Sequence, residues 1–321
     1  MSFLTNILKF VVVLSVQLVG LAASKSDVSS STAQVYWKSL FPHTPLPGVL
    51  ANQLIYPSDL SGDYFRAILK DMVTKFRTIE VDEKFKYDSP KVESDSANKL
   101  DYDNVHKDVF FFETKLHEGA NMDAMELTIG ENNVAFLPRS IADTIPFSSQ
   151  NFSQILTYFS VSPESPVASV IKETIELCEI PALKGELKRC STSFEDFLDY
   201  AISLLGKHVQ IFTPSLETKS SHPNLTVGHV TQLVGKSVVM CHKLNYAYAV
   251  YLCHSLKRTH LYEVYLIGKD GSRGTSLAAC HQDTSSWSAK HLAFHVLKVQ
   301  PGTVPICHFL KKGTIVWVPS P

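Results

Sequence analysis

The chain has 321 residues, 30 basic and 31 acidic side chains, a net charge of −1 and a hydrophobic fraction of 45%. That is enough for one sizeable domain with an extension. No basic patch or aromatic-interleaved basic stripe is present, which argues against nucleic acid as a partner. No GxSxG, HExxH, Walker or dinucleotide fingerprint occurs either, so the hydrolase and kinase classes have no support.

Lys9 precedes an apolar run over residues 10–22, and Gly20, Ala22, Ala23 and Ser24 supply small residues for cleavage. This predicts a secretory signal peptide over residues 1–23, cut near Ala22 or Ala23. The run is shorter than the roughly 20 residues a bilayer span needs, and no later stretch is long enough, so no transmembrane segment is expected. The expected destination is the secretory pathway, extracellular or apoplastic, with a storage vacuole as the alternative. In that compartment six cysteines form an even set for three disulfides. Cys178 and Cys190, with eleven residues between them, make a separate pair. The sequons at Asn151 and Asn224 become candidate glycosylation sites.

Residues 24–107 read as an N-terminal extended segment and a charged linker. Residues 24–34 are Ser/Thr-rich and predicted to be disordered, and Pro42, Pro45 and Pro47 predict an extended, non-helical conformation for residues 35–47. A weak amphipathic helix is expected over 64–76. Between 70 and 108, 18 of 39 residues are charged and none is glycine. The stretch 80–106 has too few apolar residues to offset ordering entropy.

The folded domain is expected over 108–319. Residues 110–112 predict a core strand. Helical apolar spacing covers 148–159, 166–178 and 193–205, with Ser193 as N-cap and Gly206 as terminator. From His208 onward the pattern changes to short β-branched and aromatic strands, including 210–212, 236–241, 248–253, 260–267, 304–309 and 314–318. Residues 243–246 read as a turn that places Cys241 and Cys253 on one hairpin, and Asp270-Gly271 is a hairpin signal after the long strand. Helices first and strands afterwards predict an α+β fold.

The strand-rich half carries four Cys-His dipeptides: Cys241-His242, Cys253-His254, Cys280-His281 and Cys307-His308. On a strand, neighbouring residues point to opposite faces. A Cys-His step can therefore send sulfur one way and imidazole the other. Three readings follow. Joint Cys/His zinc ligation is one, though structural zinc motifs favour spaced pairs over contiguous ones. Disulfides with hydrogen-bonded histidines are the second. The third has disulfides holding a histidine-rich transition-metal site, imidazole favouring copper. The four motif cysteines allow three connectivities, and spacing does not choose among them.

The spacing CH-x10-CH-x25-CH-x25-CH resembles the signature of the BURP-domain family of plant proteins. Residues 35–47 resemble a segment that follows the signal peptide in many members, and 108–122, with its paired phenylalanines and following glycine, resembles the domain's entry motif. The resemblance covers about two thirds of the chain and implies a BURP-domain fold, helical first and then β-rich and disulfide-stapled. A short spacer without repeats looks most like the unknown-seed-protein type. Some members resemble copper-dependent peptide cyclases, which implies two copper ions held by His242, His254, His281 and His308, with other ligands or solvent completing each site. The implied activity is oxidative cyclisation of a peptide substrate. The alternative is a non-enzymatic secreted protein of seed development, stress response or cell-wall interaction. Against self-cyclisation, no core peptide is recognisable around Trp37, Tyr87 or Tyr102.

Two further residues are candidates to orient a metal-bound histidine from behind. Asp283 follows His281 in one loop with Trp287, although an Asp before Thr-Ser-Ser more often caps a turn. His291 shares a face with His295 whether residues 289–299 form helix or strand. His229 and His260 are read as packed against apolar neighbours.

Overall fold

The computed structural model of the protein describes residues 32–55, 70–74, 110–123, 134–217, 224–233, 237–256 and 258–320. The expected signal peptide and the spacer 80–106 lie outside the described residues.

Among the described residues, two antiparallel sheets and a helical layer make up the domain. The first sheet has six strands in the order β1 (Phe110–Phe111), β10 (Ile306–Phe309), β9 (Arg273–His281), β8 (Thr259–Gly268), β5 (Asn224–Leu233) and β2 (Asn121–Asp123). The second has five: β3 (Glu186–Ser191), β7 (Tyr251–Leu256), β6 (Val239–Lys243), β11 (Ile315–Pro319) and β4 (Val209–Phe212). Each strand splits its residues between two faces, and the cores follow that split. Met240, Val316 and Val318 of the second sheet pack against Leu261, Leu277 and Ala279 of the first, joining the two face to face.

The outer face of the second sheet carries Val239, Cys241, Tyr251, Cys253, Ile315 and Trp317, and these pack into the helical layer. The helices Pro166–Glu179 and Phe194–Leu205 supply Ile171, Ile175, Phe197, Leu198 and Ala201 to that core. Both start as their sequences dictate. Ser165 accepts from Ala168 N–H and is followed by Pro166, while Ser193 accepts from Asp196 N–H, with Glu195 and Asp196 in the first turn. Gly206 ends the second helix with φ +76°, a conformation glycine adopts at no steric cost. The outer face of the first sheet holds a smaller core of Phe111, Met122, Val264, Leu266, Cys280, Cys307 and Phe309.

Helix-then-strand order holds only in part. β1 and β2 precede the helices Phe152–Tyr158, Pro166–Glu179 and Phe194–Leu205 and join the first sheet, and β3 lies between the last two of these helices. β1 and β2 have two and three residues, too few to display an alternating pattern. β3 is a charged edge strand, Glu-Leu-Lys-Arg-Cys-Ser, whose polar side chains suit an edge and mask the strand signal.

The N-terminal segment departs further from expectation. Residues Thr32–Leu40 form an α-helix, not an extended or disordered stretch. The prolines at 42, 45 and 47 constrain only themselves and the residues just before them, so they end the helix without reaching back into it. Ala33 and Trp37, four apart, are buried on one face. Trp37 Nε1–H donates to the Thr44 carbonyl at 2.8 Å, and Tyr36 O–H donates to Asp199, which also binds Arg139 at 2.6 Å. Trp37, Phe41 and Leu50 belong to the same core as the helical layer. Of the helix expected at 64–76, residues 70–74 are described and helical, with Met72 and Val73 buried.

All six cysteines are oxidised: Cys178–Cys190, Cys241–Cys253 and Cys280–Cys307. The first ties the end of helix Pro166–Glu179 to β3, closing a loop with a sequence separation of 12. Replacing Cys178 and Cys190 together by serine should lower the unfolding free energy by about 2–4 kcal/mol. The urea midpoint should fall with little change in slope, and an unshifted midpoint would mean that the loop is held by its packing alone.

Candidate functional site

Both motif disulfides are cross-strand bridges between directly opposed residues, Cys241 facing Cys253 on β6–β7 and Cys280 facing Cys307 on β9–β10. Each histidine is one step along from its cysteine. Antiparallel strands carry those steps in opposite directions, so His242 faces Leu252 while His254 faces Met240. The two imidazoles become a diagonal pair on the face opposite the disulfide. The second unit repeats this, His281 facing Ile306 and His308 facing Ala279. Because Met240 and Ala279 point into the space between the sheets, all four imidazoles do too. Sulfur and imidazole thus part company at every Cys-His step. With every cysteine bridged, joint Cys/His zinc ligation is excluded.

His242 Nε2 lies 3.1 Å from His254 Nε2, and His281 Nε2 lies 3.3 Å from His308 Nε2. The opposite ring nitrogens are occupied. His254 Nδ1–H donates to the Glu186 carboxylate at 2.9 Å, and His308 Nδ1–H to the Phe309 carbonyl at 3.1 Å. Carboxylate and carbonyl oxygens only accept, so both rings keep a lone pair on Nε2. His281 Nδ1 faces Thr259 Oγ1 at 3.3 Å and His242 Nδ1 faces Thr314 Oγ1 at 3.5 Å. A hydroxyl can donate or accept, so His242 and His281 can carry their proton on Nε2, donating to the partner's lone pair, and shift it to Nδ1 when Nε2 is needed. Each pair therefore joins one imidazole with its lone pair already set to one that can release Nε2.

Burial first, and then the neighbouring imidazoles, hold His242 and His281 well below the usual histidine range. His242 responds to His254, His308, Lys311 and His281, and His281 responds to His308, His254 and His291, so the two pairs lie within electrostatic reach across the sheet interface. Glu186 is set by opposing effects. Burial raises its carboxyl, but the hydrogen bonds from His254 and Leu183 N–H and the charge of Lys188 outweigh it and hold the group below the carboxylate norm.

These residues fit a metal ion bound twice over. Metal–imidazole bonds run at about 2.0–2.1 Å, and nitrogens 3.1 and 3.3 Å apart can both reach one ion at that length. Among the described residues, no group of three or more His, Cys, Asp or Glu side chains is placed to hold a metal. The arrangement is two plus two, not a single four-histidine cage.

A family model described as "BURP domain" matches residues 109–319. The chain belongs to the BURP family. It is similar to rice (Oryza sativa subsp. japonica) BURP domain-containing protein 3, 41% identical over 225 residues, covering 68% of this chain and 52% of that one. It is likewise similar to BURP domain protein RD22 of Arabidopsis thaliana, 41% identical over 223 residues, covering 67% of this chain and 57% of that one. Rice BURP domain-containing protein 5 is 34% identical over 296 residues, 90% of this chain and 87% of that one. The matched region spans about half of the first of these relatives.

Within the BURP domain the other candidates take distinct places. Asp283 accepts from the backbone N–H and hydroxyl of Ser285 and lies 3.7 Å from Arg258, so its carboxylate caps a turn. His291 caps helix Leu292–Leu297, its Nδ1 accepting from Ala293 N–H at 3.2 Å. Its ring packs at a tilt against Trp287, 4.6 Å between centroids, and Trp287 in turn lies 5.1 Å from His281. Burial, then His308, pushes His291 down to about 4. His295 is exposed on that helix. Asn151 and Asn224 are exposed. His229 and His260 are not packed in the core, as their apolar neighbours in sequence suggested. His229 is exposed beside Thr231, and His260 is half-exposed and bonded to Glu113 at 2.9 Å. Alternation on a strand sends a residue away from its apolar neighbours.

Glu186, Thr259 and Thr314 escaped the sequence reading. Glu186 reaches His254 because β3 pairs with β7, Lys188 facing His254.

The depressed imidazoles make a pH prediction. The unfolded chain protonates histidine near pH 6.5, whereas the folded protein resists protonation down to lower pH, to about 4 for His291. Between those values the unfolded state binds more protons, so stability is full above about pH 6.5 and falls on acidification through that window. Denaturation midpoints of metal-free protein at about pH 7.5 and about pH 5 should differ accordingly, and His242→Asn with His281→Asn should flatten the difference. A midpoint constant over that range would contradict the burial of neutral imidazoles.

Proposed function

We propose that this BURP protein enters the secretory route and holds two copper ions, one per histidine pair, with oxidative peptide cyclisation as its activity. The observation that carries the reading is the pairing of Nε2 atoms at 3.1 and 3.3 Å with their Nδ1 atoms engaged elsewhere. Imidazole suits copper among the transition metals, and histidines kept neutral by burial are in the state a metal requires. His242, His254, His281 and His308 would hold the ions, with substrate or solvent completing each site.

Bound copper would supply one-electron chemistry with dioxygen. The product would be a bond from a tyrosine or tryptophan side chain of the peptide to one of its backbone or side-chain atoms. Two hydrogens are lost for each bond formed, and dioxygen takes up the two electrons and two protons. The chain's own residues orient the imidazoles and exclude water: Glu186, Phe309, Thr259 and Thr314 face the Nδ1 atoms, and Met240, Ala279 and Leu310 line the sheet interface beside them. Three disulfides and an apolar run before residue 24 support the secretory route, to the apoplast or a storage vacuole, where Asn151 and Asn224 would be open to glycosylation.

One observation favours the non-enzymatic alternative, a secreted protein of seed development, stress response or cell-wall interaction. Trp37 is 2% exposed with its indole N–H bonded, so it is not on offer as a substrate side chain.

Metal analysis of protein loaded with Cu(II) and dialysed should find two ions per chain, and one after His242→Ala with His254→Ala or after His281→Ala with His308→Ala. Disulfides should persist in both. Full loading of both double variants, or no uptake by the native protein, ends the copper reading. Under air, a candidate peptide should lose the mass of two hydrogens per crosslink; copper uptake without such loss across peptides bearing Tyr or Trp favours the non-enzymatic alternative.

A further inference from the structure

The two histidine pairs share one backbone geometry but differ in what stands behind them. His308 Nδ1–H meets a neutral carbonyl, and His281 a hydroxyl. Around that second pair lie Trp287, Phe110, Phe294 and Ile306, with the buried imidazole of His291 packed among them and, among the described residues, no carboxylate bonded behind either ring. Behind the first pair stands a carboxylate. Glu186 is 7% exposed, with Oε1 on His254 Nδ1 at 2.9 Å and Oε2 accepting from Leu183 N–H at 2.7 Å. Both oxygens are fixed, so the carboxylate has one orientation. A carboxylate accepting from the far nitrogen of an imidazole sets its tautomer and raises its basicity as a ligand.

We infer that Glu186 is a positioning residue that makes the two pairs unequal: it locks His254 with the proton on Nδ1 and the lone pair on Nε2, so that His242–His254 binds Cu(II) more tightly than His281–His308. This rests on the copper reading above only for the affinity; the tautomer stands without any metal. The negative charge of Glu186 adds to the effect by offsetting part of the charge an incoming dication brings into a buried site.

Glu186→Gln is a near-isosteric test because the amide has one acceptor where the carboxylate has two. If the amide oxygen keeps Leu183 N–H, its NH2 faces His254 Nδ1. That nitrogen must then accept, which moves the ring proton to Nε2 and blocks the atom that binds metal.

The first measurement is long-range 15N–1H NMR of the imidazoles in metal-free protein. His254 should carry its proton on Nδ1 in the native chain and on Nε2 in E186Q; a native Nε2–H tautomer, or no change in E186Q, overturns the inference. The second is Cu(II) affinity by chelator competition in two backgrounds. With His281→Ala and His308→Ala, E186Q should weaken binding by about 10–100-fold. With His242→Ala and His254→Ala it should change nothing, and an equal loss in both backgrounds would reduce Glu186 to a general structural role and overturn the inference. Should E186Q not fold, the two backgrounds with native Glu186 still decide. The pair His242–His254 should bind more tightly, and equal or reversed affinities overturn the claim. Copper uptake by neither background would end the copper reading and the inequality with it, while the NMR result would still rule on the tautomer.

Discussion

Everything at the centre of this domain depends on one steric rule, the alternation of side chains along a β-strand. A Cys-His step obeys it by sending sulfur and imidazole to opposite faces. When two such steps meet on antiparallel strands with their cysteines in register, the disulfide bridges one face and the histidines fall diagonally together on the other. Neither consequence needs a special loop. A one-residue slip of register would reverse both faces at once. The covalent bridges forbid that slip, so the same cysteines that staple the sheets also keep the imidazoles facing inward.

The two outer cores make that arrangement rigid. Cys241 and Cys253, fully buried, sit in the helical core among Phe197, Tyr251 and Trp317. Aromatic contacts run through it, Phe197 lying 5.0 Å from Tyr251 and 5.5 Å from Trp317. Each large buried side chain of this kind contributes about 1.5–3 kcal/mol of hydrophobic stabilisation. Cys280 and Cys307 are held in the smaller core beyond the first sheet. The imidazoles between the sheets thus gain their order from packing on the far sides of the strands that carry them.

How much of this was legible in the sequence varies by element. The Cys-His spacing, the β-branched flanks and the alternation rule together indicated the division of sulfur from imidazole. Ser193 and Gly206 marked both ends of their helix. Cys178–Cys190 was legible as a separate pair, and Cys241 and Cys253 as members of one hairpin. The connectivity of the four motif cysteines stayed open because it depends on which strands become neighbours: Cys280 and Cys307 meet only because β9 and β10 pair across a separation of 27 residues. Thr32–Leu40 is helical although Pro42, Pro45 and Pro47 point to extended chain, because each proline constrains only itself and the residue just before it. Its helical face becomes visible only once Trp37 and Ala33 are seen to have a surface to cover. Glu186 was hidden for the same reason as the disulfides: it lies 68 residues from His254, and a charged edge strand supplies the connection.

The third disulfide then acquires a role beyond stapling. Cys190 lies on β3, the strand that carries Glu186, and Cys178 ends the helix behind it. Lys188 crosses the same gap, its ammonium donating to the Leu177 and Ile180 carbonyls at the helix C-terminus. Leu183, in the loop that the disulfide closes, offers its N–H to Glu186 and its side chain to the apolar cluster of Trp287 and Phe110 beside the second histidine pair. One short loop thereby touches the surroundings of both pairs. An edge strand is ordinarily the least secure part of a sheet. Bridging this one covalently, and tying its lysine into a helix end, holds the carboxylate at 2.9 Å from an imidazole that must keep its tautomer. The Cys178–Cys190 bridge stands outside the Cys-His motif, yet the geometry of the first pair runs through it.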